Sequence, residues 1–553
     1  GWFAGGRRFW IERWDNRQVG EAWVINSLQR PRPTLTSMRL AFPGEANLPI
    51  PELWVGDLDA GTLVQIDTSR WPGQLISGTE IGGTGAGNIS SAGSADRLYF
   101  VRISRGYQDV ELVIADAETG RTRVLLHEKS EPYFSIRTPL FRFLNDGSFL
   151  WLSDRTGWNH LYRYDANGTL LGSVTGGDFN VAEILHVDAG RGWIYFKGFG
   201  RERGRNPYFE HTYRVRTDGT RLSLLTPEDA AHTTSISPNG RWLVDVYSRP
   251  DQVPQAVVRA SDGKRRYLLE QLDIRSLVAG GWSAPESFTA TAADGKTTLH
   301  GTLWKPHRFD PQRRYPVIAY VTPNPNYIGH IAVRFNPATR FESLAQLGFI
   351  VAAASTRGQG QGIRDKAFLV HGRGDVRDYP LADSKTALEQ AAASRPYMDL
   401  SRAGVTGYSG GGLMAASLLL TYPDFYKAAV SGAGNHDNNI YDWASGEHYF
   451  GNGVPGTALA QTRMSTNQEL AANLQGDLLL VHSDTDRNVP MTHSLRLADA
   501  LVDAGKRFDF LVIPGRDHNL RDRWSYYDRV VWCYFAQRLL GDERQCVDLW
   551  KLH

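Results

Sequence analysis

Arg402-Ala403-Gly404-Val405-Thr406-Gly407-Tyr408-Ser409-Gly410-Gly411 reads as a short apolar strand that stops in a glycine-rich turn, and Gly411–Thr421 continues it as an apolar helix. Gly407-Tyr408-Ser409-Gly410-Gly411 is a G-x-S-x-G motif. Between a strand and a helix, this pattern places a serine on a strained turn with its hydroxyl exposed above a sheet. Small residues must flank the serine because the helix packs close behind it. A glycine-rich surface turn is the alternative, and the strand before and helix after argue against it.

A serine hydroxyl is a poor nucleophile unless a base removes its proton, and the base needs an acid to orient it. In this strand–turn–helix setting the partners follow in the order Ser, Asp, His, each on a loop after a strand. Leu478-Leu479-Leu480-Val481-His482 reads as such a strand, and Ser483-Asp484-Thr485-Asp486-Arg487-Asn488-Val489 follows it. Phe510-Leu511-Val512-Ile513-Pro514 is the next, followed by Gly515-Arg516-Asp517-His518. His518 is therefore the expected base and Asp486 or Asp484 its partner. The Gly410 backbone N–H is the expected first oxyanion donor. Further strands at Tyr315–Val321 and Phe349–Ala354 alternate with helices at Ala382–Ala393 and Trp524–Leu540. That alternation predicts a mostly parallel sheet covered on both faces, an α/β-hydrolase domain over 279–553.

The first half has another texture. A short alternating strand and a turn ending in glycine recur at Glu52–Gly61, Leu112–Gly120, His160–Gly168, His211–Gly219 and Gln255–Gly263. The turn glycines step by 59, 48, 51 and 44 residues. A period of about 50 with several strands per unit predicts a β-propeller, here over 1–278, rather than a sandwich. Arg30–Pro51 interrupts the first repeat as a long loop or as an arm reaching the second domain or another subunit.

Of the 553 residues, 61 are Lys or Arg and 59 are Asp or Glu, which leaves no whole-molecule field to drive nucleic-acid or membrane-surface binding. The 2 cysteines, Cys533 and Cys546, are too few for a disulfide scaffold or a thiolate zinc cluster. They are either one bond pinning the tail, which implies an oxidising compartment, or two unrelated thiols. No apolar run reaches the roughly 18 residues of a membrane helix. The chain opens on Gly1-Trp2-Phe3-Ala4, without an initiator Met or signal pattern, as a processed or cut chain would.

These features resemble the prolyl oligopeptidase clan of serine peptidases, and within it the dipeptidyl peptidase IV branch. Trp151-Leu152-Ser153-Asp154-Arg155-Thr156-Gly157-Trp158-Asn159-His160-Leu161-Tyr162 is similar to a signature blade of that branch, and Arg13-Trp14-Asp15-Asn16 with Pro43–Asn47 to the blade before it. The resemblance favours Asp486 over Asp484. It implies that Asn488 holds a substrate carbonyl and that Tyr441 lines the pocket for the residue before the scissile bond. Tyr408 and Asn324 are further candidate substrate contacts. Members of the clan place a tyrosine after the first core strand as second oxyanion donor. Here Thr322 takes the aligned place in Tyr320-Val321-Thr322-Pro323-Asn324-Pro325-Asn326-Tyr327, which leaves Thr322, Tyr327, Tyr320 and Asn324 as candidates. The second pocket tyrosine of the clan is replaced near Trp443–Ser445.

The resemblance implies a peptide substrate, a Ser–Asp–His acyl-enzyme gated by the propeller, no metal or organic cofactor, and a periplasmic or secreted location with homodimers. It does not separate this from an isopeptidase opening side-chain-linked lasso peptides, or from an inactive binding scaffold. Clan rings have seven or eight blades, and about 275 residues make five to six. The propeller is therefore expected to be incomplete at its N-terminus, with one to three blades supplied by a separate fragment or lost by cleavage.

Overall fold

The five repeated turn glycines occupy one equivalent place in five successive antiparallel sheets of the computed structural model, which describes residues 1–76, 88–135 and 140–551. Gly61, Gly120, Gly168, Gly219 and Gly263 each join the last two strands of a sheet, with φ between 64° and 88°. Three of them also touch the sheet before. A Cβ on Gly120 would fall 2.2 Å from the carbonyl oxygen of Gln65, one on Gly168 1.9 Å from that of Leu125, and one on Gly219 2.9 Å from that of Ser173. The repeat therefore records both a turn conformation open to glycine and the closeness of neighbouring blades.

The third sheet shows the pattern: Phe141–Phe143, Phe149–Ser153, His160–Tyr164 and Leu170–Ser173 lie side by side in chain order. Its residues Phe149, Trp151 and Leu161 are fully buried with Leu112, Phe196 and Tyr213 of neighbouring sheets. This is how a blade with two apolar faces gains stability, by stacking on the next. The first half is thus a β-propeller.

The Arg30–Pro51 interruption belongs to an arm. Glu21–Asn26 pairs antiparallel with Thr34–Arg39, and the chain then runs onto the second half. There Ala41 O accepts the N–H of Trp443 at 3.1 Å, and the Gly44 N–H donates to Glu447 Oε1 at 3.1 Å.

The propeller sheets end at Gln271, and after the short helix Arg275–Ala279 one eight-stranded sheet begins at Glu286. Its order is Glu286–Thr291, Thr298–Trp304, Ile350–Ala354, Tyr315–Tyr320, Met398–Tyr408, Tyr426–Gly432, Asp477–Ser483 and Asp509–Ile513. The first three strands pair antiparallel, and every pairing from that of Ile350–Ala354 with Tyr315–Tyr320 onward is parallel. The central strands carry continuous apolar runs because helices cover both faces. The helix Gly410–Thr421 is buried along nearly its whole length. This is the α/β-hydrolase fold. At the C-terminus a Cys533–Cys546 disulfide ties the helix Trp524–Phe535 to Glu543–Lys551. No helix among the described residues is long and apolar enough to cross a membrane.

The two halves are locked together by buried ionic and stacking contacts. Arg105 of the propeller makes two bonds, 2.6 and 2.5 Å, to the fully buried Glu447 carboxylate. Tyr107 stacks on His448 with ring centroids 3.6 Å apart. Lys366 lies 3.2 Å from Asp154, and the Tyr208 hydroxyl donates to Ser355 Oγ at 3.0 Å.

Candidate active site

Ser409 sits at the end of the strand Met398–Tyr408 with φ 59° and ψ −126°, a conformation that L-residues rarely adopt. Its N–H is held by Gly432 O at 2.8 Å. The neighbours leave no room for side chains: a Cβ on Gly407 would lie 2.4 Å from Gly411 O, and one on Gly411 2.3 Å from Val321 O. Packing enforces the turn and lifts the hydroxyl off the sheet. The N-terminus of helix Gly410–Thr421 follows directly, so its unpaired N–H groups and positive end lie beside Ser409.

Two loops bring the other groups. His518 Nε2 lies 2.9 Å from Ser409 Oγ, and His518 Nδ1 lies 2.6 Å from Asp486 Oδ2. The two candidate aspartates have different partners. Asp484 Oδ1 accepts the Gly515 N–H at 2.6 Å and so holds the loop that carries the histidine. Asp486 is fully buried, and its Oδ1 accepts the N–H groups of Asn488 and Val489 at 2.9 and 2.8 Å. Burial pushes its pKa up, but hydrogen bonds from His482 and His518 outweigh this and hold it below the ordinary carboxylate value.

Further bonds fix the His518 loop. Arg516 O accepts Thr485 Oγ1 at 2.7 Å and also the Ser483 hydroxyl. Tyr408, expected against substrate, spends its hydroxyl on the carbonyl of His518 at 2.9 Å and packs its ring on Trp524 and Tyr527. It braces the histidine from behind.

A cavity of about 250 Å³ opens at Ser409, lined among others by Asn324, Gly410, Asn435, Asn438, Tyr441 and Ser445. A larger one of about 1240 Å³ lies among the propeller sheets with Arg97, Arg121, Arg123 and Arg142 in its wall. The smaller one adjoins the reacting groups. Tyr441 lies in its wall, with its hydroxyl 3.3 Å from Asn488 Oδ1.

The candidates for a second oxyanion donor part company. Asn324 lies against Gly410, where a Cβ would fall 2.3 Å from Asn324 Oδ1, and it lines the cavity at Ser409. The Tyr320 hydroxyl already contacts Arg340 at 3.2 Å. Thr322 is buried, with its carbonyl accepting from Gln359, and Tyr327 is 50% exposed. Ser445 falls in the Trp443–Ser445 stretch marked from sequence as replacing a pocket tyrosine, whereas sequence reasoning missed Asn435 and Asn438. The amide-rich run Asn435-His436-Asp437-Asn438-Asn439, directly after a core strand, is the signal that could have found them.

Among the described residues, Glu228, His232 and Asp245 of the propeller have the spacing of metal ligands. Arg259 bridges this group, 2.9 Å from Asp245 and 2.6 Å from Glu228, so a guanidinium already supplies the positive charge there.

The prolyl oligopeptidase family profile matches residues 334–542, and the profile of the dipeptidyl peptidase IV N-terminal region matches 1–254. Human dipeptidyl peptidase 8 is 26% identical over 387 residues, covering 66% of this chain and 42% of that protein. "Probable dipeptidyl-aminopeptidase B" of Emericella nidulans is 28% identical over 357 residues, covering 63% and 38%. The chain therefore spans about two fifths of the length of these relatives. Among solved structures, a dipeptidyl aminopeptidase IV candidate from Bacteroides ovatus superposes with TM-score 0.85 at 25% identity, over 98% of this chain and 76% of that one. Porphyromonas gingivalis dipeptidyl peptidase 4 superposes with TM-score 0.85 at 21% identity, over 97% and 74%, and so shares the fold.

Proposed function

Because the chain belongs to the prolyl oligopeptidase clan of serine peptidases, in its dipeptidyl peptidase IV-like branch, we propose that it hydrolyses amide bonds of short or compact peptides through an acyl-enzyme on Ser409. The observation that carries this is the relay of 2.9 Å from Ser409 to His518 and 2.6 Å from His518 to Asp486. Ser409 Oγ attacks the scissile carbonyl while His518 Nε2 takes its proton. Asp486 holds the Nδ1–H tautomer and balances the imidazolium charge. The oxyanion receives the Gly410 N–H, and we assign the Asn324 amide as its second donor. Collapse of the tetrahedral adduct expels the amine, protonated by His518. Water, deprotonated by the same nitrogen, then releases the acid and restores Ser409. Asn488 and Tyr441 hold the acyl side.

The propeller, locked over the sheet by Arg105 and Tyr107, restricts entry to small substrates. The Cys533–Cys546 bond supports an oxidising location, periplasmic or secreted. Trp23, Ile25, Leu28 and Leu35, each more than half exposed on the hairpin arm, support a homodimer joined through it.

A fluorophosphonate probe tests the central reading. Mass spectrometry should find the adduct on Ser409, and none after Ser409→Ala. A folded protein with Ser409 unlabelled would sink the proposal.

A further inference from the structure

We propose that the cavity of about 1240 Å³ among the propeller sheets is a docking site for an extended, Asp- and Glu-rich segment of another polypeptide. The turns around Arg121, Asn145 and Ala166 border it. They lie at the strand ends opposite the loops at 104–108 and 154–159, through which Arg105 and Asp154 meet the hydrolase domain. A segment bound there touches none of the reacting groups, so the proposal does not rest on the acyl-enzyme reading.

Charge is the first observation. Arg97, Arg121, Arg123 and Arg142 line the cavity, and all four are exposed. None of their guanidinium groups has a hydrogen-bond or ion-pair partner among the described residues. The carboxylates nearby are already engaged. Asp116 Oδ1 accepts the N–H groups of Glu118 and Thr119 at 3.1 and 2.8 Å, and Glu183 lies 3.0 Å from Lys197. Asp146, on the turn between the first two strands of the third sheet, lies 2.6 Å from Arg163. An excess of positive charge therefore faces one concavity, which concentrates anionic ligands. The guanidinium fork suits carboxylates, which it can bind two bonds at a time.

An open strand edge makes the ligand a peptide. In the third sheet the Leu144 N–H donates to Ser148 O at 2.8 Å and the Leu152 N–H to Leu140 O at 2.7 Å, with Arg142 opposite Leu150. Antiparallel alternation then turns the backbone N–H and C=O of Phe141 and Phe143 away from Phe149–Ser153, toward the free edge. No strand among the described residues pairs with that edge. Both phenylalanines line the cavity, and Phe143 is only half-buried. An unpaired edge is a template for an added strand, with main-chain bonds giving affinity and side-chain contacts giving specificity. The cavity also exceeds the roughly 300–1,000 Å³ of small-molecule sites.

The test is fluorescence polarisation of a labelled peptide of alternating Glu and Thr with the full chain, beside Lys–Thr and Ser–Thr peptides of equal length. The Glu peptide should bind about tenfold tighter than the Ser peptide, and the Lys peptide weakest. Its affinity should fall as salt rises from about 0.1 to about 1 M, where the screening length drops from about 10 to about 3 Å. Arg123→Glu with Arg142→Glu trades two attractions for two repulsions and should weaken it by about tenfold; Arg123→Lys with Arg142→Lys should keep most of it. N-methylation of alternate peptide nitrogens, which removes the ladder donors, should also weaken it. Thermal melting shows that each variant is folded. Equal binding of the Glu and Ser peptides, or binding untouched by charge reversal in a folded protein, overturns the site. An N-methylated peptide that binds as well as the parent, displaced by inorganic polyphosphate, overturns the peptide assignment in favour of a general polyanion surface.

Discussion

Replacing Asp486 by Asn removes one charge and almost no volume, yet the structure predicts a loss of several orders of magnitude in rate. The reason is the other oxygen. Asp486 Oδ1 accepts two backbone N–H groups, from Asn488 and Val489, at 2.9 and 2.8 Å. In Asp486→Asn the amide must keep its oxygen there, since an NH₂ facing two N–H groups would leave three buried donors unpaired. The amide nitrogen is then forced onto the side now 2.6 Å from His518 Nδ1. A donor at that position turns Nδ1 into an acceptor and places the ring proton on Nε2, facing Ser409 Oγ. The histidine can then no longer accept the serine proton. Wrong-tautomer histidines of this kind cost about 10⁴-fold in kcat, or about 5.4 kcal/mol at 1.36 kcal/mol per decade. The assay is steady-state hydrolysis of a reactive peptidyl aminocoumarin, with thermal melting to show that the fold survives. Asp484→Asn is the paired control, because Asp484 holds Gly515 and not the histidine. It should lose far less. An Asp486→Asn protein that keeps activity within tenfold of the parent would refute the tautomer reasoning.

Other expectations follow from the same contacts. Arg105→Ala strands the buried Glu447 carboxylate and should destabilise the protein by about 3–5 kcal/mol, read as a lower melting temperature; adding Glu447→Gln should restore much of it. Burial drives His493 and His211 down to about 3 and His300 and His330 down to about 4, so all four stay neutral in the fold. The unfolded chain, near 6.5, then binds more protons. Stability should therefore be flat above pH 7 and fall on acidification below about 6.5, by about 1.4 kcal/mol per pH unit for each histidine until its folded value is reached. Melting temperatures that rise between pH 6.5 and 4 would contradict this. Removing the disulfide by Cys533→Ser should cost about 2–3 kcal/mol for so short a loop. Charged replacements at Trp23 and Leu35 should turn a dimer into a monomer in light scattering; an unchanged mass would remove the arm as the interface.

Much of the architecture was legible in the chain because it rests on local rules. The turn glycines had to recur wherever a tight hairpin meets the previous blade. The G-x-S-x-G turn needed glycines because the helix lies against the strand end. Strand–loop spacing was enough to mark the Asp484–Asp486 and His518 loops. What spacing could not do was choose between two aspartates two residues apart, which lie on one loop and differ only in direction. Tyr408 shows the same limit. Its place beside the nucleophile suggested contact with substrate, but its direction was set by the packing of Trp524, Tyr527 and the His518 loop, all more than 100 residues away in sequence.

The amino-acid sequence by itself determined the two-part architecture, the elbow serine and the loops that carry its partners, since periodicity, turn chemistry and chain order act over neighbouring residues. Only the tertiary structure decided that Asp486 faces the histidine and Asp484 its loop, that the arm closes onto Glu447, and that the pocket at Ser409 is walled by amides. Those outcomes depend on which side chains meet across loops and between the propeller and the sheet. That meeting is set by packing and hydrogen-bond satisfaction, which no local pattern encodes.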